Sequence, residues 1–157
     1  MADNCTLSPL GWRGLWDVTL ASGPWRDADE AVLRQPADGR LVFAAAPHRR
    51  LVIARRDAPG PALDDLPARL VDVSDNWRVL EITGSGGREL LTRGVEIDIS
   101  PAALPIGGVC QTICAGVPVI VHALDDATME LFITASYAPW LAKWLAASLW
   151  VMTGRAG

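Results

Sequence analysis

The chain has 157 residues, of which half are hydrophobic and 20% charged, and its formal net charge is -4. That balance excludes a disordered chain, which lacks the apolar surface to offset the entropy of folding. It also argues against nucleic acid as a partner, because that affinity rests on basic side chains neutralising phosphates.

The N-terminal MADNCTLSPL has no basic segment followed by an apolar run, so no secretory signal is read there and a cytoplasmic location is expected. Residues 1–39 carry Trp12, Trp16 and Trp25 among Gly, Pro and acidic residues with weak periodicity. They are read as an irregular arm whose tryptophans need a partner or the domain to bury them. Residues 40–157 are then expected to form a single α+β domain. Within it, Leu41 to Ala45 and Leu51 to Ala54 flank the polar turn Pro47 to Arg50, which predicts a hairpin. The dense basic run His48, Arg49, Arg50, Arg55 and Arg56 is read as a solvated turn between strand ends. A Pro-rich acidic loop, Asp57 to Pro67, follows.

From Arg69 onward the pattern is clearer. Strands are predicted at Leu70 to Val73 or Trp77 to Ile82, then a short helix over Gly87 to Thr92 and a strand over Gly108 to Ala115. The runs VPVIVHAL and TMELFITA on either side of Asp125-Asp126 predict a second hairpin, Val117 to Leu124 with Thr128 to Ala135. Ser136 is the expected cap of a last helix, with Pro139 in its first turn. Tyr137, Trp140, Leu141, Trp144, Leu145 and Leu149 recur at helical spacing and predict the core face, while Trp150 lies off that stripe. The apolar run Ala138 to Met152 is too short to cross a bilayer and carries Lys143, the one lysine of the chain.

Three features could have signalled chemistry. The glycine cluster Gly84-Ser85-Gly86-Gly87 matches two positions of a dinucleotide loop, but Glu89 stands where the third glycine belongs, and no Lys-Ser or Lys-Thr follows. A turn from strand into helix is the expected role. Cys5, Cys110 and Cys114 are too few, with His48 and His122, for a zinc site, and an odd count outside a secreted chain argues against a disulfide framework. Cys110 and Cys114 are expected reduced and buried on one face of a strand, ~13 Å apart. No Ser or Cys has a histidine placed to act as its base, and Asp64-Asp65 and Asp125-Asp126 are favoured as turn residues. No catalytic, cofactor-binding or metal residue is therefore assigned. Trp12, Trp16, Trp25 and Trp150 are the candidate interface residues.

Between Val71 and Leu149 the blocks VDVSDNWRVLEITGSGGRELLTRGVEIDI, LPIGGVCQTICAGVPVIVHA and MELFITASYAPWLAKWLAASL appear in an order that carries a resemblance. The segment resembles the γ subunit of heterotetrameric sarcosine oxidase and of its relatives acting on other N-methylated amino acids. The resemblance implies an antiparallel sheet with helices on one side, similar to the folate-binding aminomethyltransferase domain. It also implies a non-catalytic assembly subunit beside a large α, a flavin-binding β and a small zinc-binding δ subunit. FAD, FMN, NAD, tetrahydrofolate and zinc would then belong to those partners. A free-standing folate-binding, aminomethyltransferase-like protein is the alternative expectation.

Overall fold

The computed structural model describes residues 5–10, 13–33, 40–55 and 58–154. The chain divides into two compact units: residues 1–10 with 78–157, and residues 11–77. The boundary expected near residue 39 therefore lies elsewhere, and the stretch predicted as an irregular arm contributes regular structure to both units.

In the first unit, β1 (Thr6–Leu10), β6 (Trp77–Thr83), β9 (Thr128–Thr134), β8 (Val117–Ala123) and β7 (Val109–Cys114) form one sheet in that order. The pairs β1 with β6, β7 with β8 and β8 with β9 are antiparallel. Pro9 sits on the edge strand β1, the kind of strand to which proline is confined within a sheet. The helices α2 (Gly87–Thr92) and α3 (Ala138–Thr153) pack on one face of this sheet. Their Leu90, Leu91, Leu141 and Leu145 meet Ile82, Val119, Val121, Leu131 and Ile133 in one buried cluster. Sheet residues of that cluster alternate along each strand, because successive side chains point to opposite faces.

The glycine cluster is the turn between β6 and α2. Gly84 adopts φ 110°, a conformation costly for any residue with a Cβ, and its N–H donates to Ala127 O at 2.8 Å. The Gly87 N–H donates to Gly84 O and the Leu90 N–H to Gly86 O, so these amides are engaged within the turn. Arg88 reaches from α2 to the carbonyls of Ile99 and Leu104, tying down the loop that leads to β7.

The second unit is a four-stranded antiparallel sheet, ordered β3 (Leu41–Ala46), β4 (Arg49–Arg55), β2 (Arg13–Leu20) and β5 (Ala68–Asp72). The short helix α1 (Asp27–Leu33) belongs to it. β2 is central, paired on both sides, and Leu15 and Trp16 are both buried although adjacent in sequence. Trp16, Val18 and Leu20 are buried while Asp17 and Thr19 between them are not, the period-two pattern of a strand with one covered face, and Leu15 is the apolar residue buried out of phase. Trp16, Val18, Leu33, Val52 and Ala54 form this unit's core. The exposed turn after β3 is only Pro47-His48, and Arg49 and Arg50 of the expected solvated turn open β4 instead: Arg49 pairs with Asp17, Arg50 lies half-buried over the Trp25 ring at 5.1 Å, and Arg56 lies outside the described residues.

Candidate subunit interface

Helix α3 is the element that distinguishes the surface. Its start is set by Tyr137, whose N–H donates to Thr134 O and whose carbonyl accepts from Leu141 N–H. Tyr137 is the cap residue, and no side chain caps the helix, so the predicted Ser136 cap does not form. Pro139 occupies the first turn, and Gly154 closes the helix in the left-handed conformation, φ 62°.

Leu141 and Leu145 are fully buried, and Ala138, Trp144, Leu149 and Met152 pack around them. The predicted core stripe is corrected at its start. Tyr137 and Trp140 are 51% and 52% exposed, and together with Trp150 at 56% and Val151 at 63% they leave large apolar surface uncovered. Trp140, Lys143, Ala147, Trp150 and Val151 recur at three- and four-residue steps, so they share the outer side of the helix. A helix apolar on nearly every side gives no polar face to mark which side the sheet will take, and this hid Trp140 from sequence reasoning.

The other candidate interface tryptophans stand elsewhere. Trp16 is 7% exposed in its own unit's core, where Gly60 approaches its ring so closely that an added Cβ would lie 3.0 Å from Nε1. Trp25 is half-buried against the same cluster. Both tryptophans therefore find their cover within the second unit. Trp12 lies outside the described residues. Of the four, Trp150 alone is placed on exposed surface.

In the second unit Arg26, Asp29, Asp64 and Asp65 line one open cleft, where Arg26 and Asp29 are paired with each other at 2.8 Å. His122 Nδ1 and Glu130 Oε2 are 2.9 Å apart on β8 and β9, with side chains 5% and 3% exposed. The register pairs these two residues directly across the hairpin. Sequence reading identified His122 as a structural histidine but missed Glu130. Counting outward from the Asp125-Asp126 turn would have found it, since both residues lie four positions from residue 126. Asp125 serves the turn, accepting from Ala127 N–H at 2.8 Å, and that bond holds its carboxyl below the usual carboxylate range. His48 Nδ1 lies 3.2 Å from Gly23 O. Among the described residues no group of three His, Cys, Asp or Glu side chains is arranged to hold a metal ion.

Cys5, Cys110 and Cys114 are free thiols, and Cys110 is half-buried rather than fully buried. Cys110 and Cys114 pair with Val121 and Val117, on the helix side of the sheet. Burial pushes the Cys114 thiol up to about 11. Because the folded value is raised, folding retains a proton that the unfolded thiol releases above 9.0, so this contribution to stability is present below pH 9 and is lost towards pH 11. In native protein at pH 8, Cys114 is expected to resist a thiol reagent until the chain is unfolded in urea, whereas Cys110 and Cys5 react sooner. Rapid native labelling of Cys114, located by peptide mass spectrometry, would show that the sheet-helix seam is open.

The described residues thus form an α+β protein of two antiparallel sheets that presents an uncovered apolar helix face. Residues 25–149 match the model of the sarcosine oxidase, gamma subunit family. The chain belongs to that family. A curated relative, sarcosine oxidase subunit gamma from Corynebacterium sp. (strain P-1), is 26% identical over 140 residues, covering 86% of this chain and 69% of that protein. The fold is similar to that of a chain in the heterotetrameric sarcosine oxidase from Corynebacterium sp. U-96, solved in complex with pyrrole 2-carboxylate. The TM-score is 0.80 at 18% identity, covering 98% of this chain and 87% of that one. No helix among the described residues is long and apolar enough to cross a membrane.

Proposed function

We propose that this chain is a non-catalytic assembly subunit of a cytoplasmic, multi-subunit, flavin-dependent oxidoreductase that oxidatively demethylates sarcosine or a related N-methyl amino acid. The observation that carries the reading is the family match over residues 25–149. It favours a subunit over a free-standing folate-binding protein.

Partners in this reading are a large α, a flavin-binding β and a small zinc-binding δ subunit. FAD, FMN, NAD, tetrahydrofolate and zinc reside there, with flavin supplying the acceptor for the electrons of C–N oxidation. This chain's residues are poorly suited to hold such groups. The Gly84 and Gly87 amides are spent on the Ala127 and Gly84 carbonyls, and Glu89 would set a negative charge in the first turn of α2, where a phosphate would have to sit. What the chain offers a complex is two small cores and an exposed aromatic helix.

The test is co-expression of the partner subunits with and without this chain. Omitting it is expected to deplete the assembled complex, while the isolated chain shows no flavin absorption and no turnover of sarcosine. Turnover or stoichiometric flavin on the isolated chain would contradict the reading.

A further inference from the structure

We propose that the outer face of α3 seats a larger subunit of the complex, in an apolar groove that carries a carboxylate opposite Lys143. This rests on the assembly reading above and adds where the partner binds and what it must present. The helix is 16 residues long, about 24 Å at its rise per residue, the scale of helix-in-groove recognition. Trp140 lies towards one end, and Trp150 and Val151 towards the other, all more than half exposed. Tryptophan is the residue type most enriched among side chains that dominate binding, because it removes a large rigid area from water.

Lys143 decides the kind of occupant. It stands between the two tryptophans on the exposed side, and among the described residues no carboxylate is within ion-pair distance of it. Helix α3 contains no Asp or Glu. A second copy docked through the same face about a two-fold axis would bring the two Lys143 side chains into one seam with nothing acidic on either helix. Like charges desolvated together oppose that arrangement. A different chain can supply both the apolar groove and the carboxylate that completes the ion pair. An anionic bilayer is a poor occupant, since one cation gives little attraction to a charged surface.

The experiment uses the full chain co-expressed with the other subunits of a heterotetrameric sarcosine oxidase from the same genome, with binding measured on the purified components. Trp140→Ala and Trp150→Ala are each expected to weaken association about 30-fold. Lys143→Glu should weaken it about tenfold or more, with Lys143→Gln between it and the native chain. Circular dichroism and the urea midpoint of the lone chain should be unchanged for the Lys143 variants, whose side chain is exposed, so a binding loss in them is not a folding loss. Undiminished association of the combined Trp140→Ala, Trp150→Ala and Lys143→Glu chain overturns the proposal while leaving the assembly reading intact. A lone chain that self-associates through this face, more tightly as Lys143→Ala, overturns it in favour of a second copy. A native chain that joins no other subunit overturns both.

Discussion

Replacing His122 by alanine is expected to cost about 3–5 kcal/mol of folding stability, the largest effect of any single change considered. The imidazole and the Glu130 carboxylate are 2.9 Å apart and 5% and 3% exposed. Truncating the ring leaves a buried carboxylate without one of its partners and opens a gap beside it, and the two penalties add. Converting both residues to valine should be far milder, because a pair of apolar side chains on adjacent strands carries no desolvation cost. Urea denaturation of the two single variants and the double variant measures this as a coupling energy. A His122→Ala cost below about 1 kcal/mol, or a double variant worse than either single one, would show that the pair contributes nothing to the fold.

Gly94→Ala is the second large effect, about 1–3 kcal/mol from overpacking. A Cβ built at Gly94 would stand 2.7 Å from Trp144 Cη2 and 2.9 Å from Cys114 Sγ. The glycine is required by space, since the ring and the thiol fill the volume that a methyl would need. The Gly94 carbonyl also accepts the Ala115 N–H at 2.9 Å, and the Val95–Cys114 bridge lies next to it, so the backbone cannot simply move away. Trp144→Leu should recover part of the loss in the double variant by vacating the clash. A native urea midpoint for Gly94→Ala would mean that the α3–β7 seam is loose. The prediction that Cys114 is shielded from reagent would then fail with it.

The legible parts of this fold were those whose signals are local. Helix α2 begins and ends where its glycines and Thr92 suggest, and the Val117 to Ala123 and Thr128 to Thr134 hairpin follows from two apolar runs around paired aspartates. The α+β class and the antiparallel pairing follow from the same signals. The illegible parts depend on partners far along the chain. β2 joins β4 and β5 through pairs such as Trp16 with Val52 and Asp72, and nothing near Trp16 announces them. Trp16 was therefore read as a candidate interface residue, to be covered by the domain or by a partner, when it lies in the core of its own unit. The two-unit division escaped for the same reason: β1 pairs with β6 across an intervening unit, Leu10 facing Val79. At the candidate interface, Trp150 was legible because it falls off the stripe. Trp140 was not, because only the direction of the sheet decides which side of an apolar helix is inside.

Native mass spectrometry of the tagged full chain, purified from cells that also express the other subunits, tests the assembly role most directly. One species containing this chain together with the α, β and δ subunits is expected, and dissociation should release this chain without bound flavin. Recovery of the chain only as a monomer or as a homo-oligomer, with the remaining subunits assembling fully in its absence, would contradict its role as an assembly subunit.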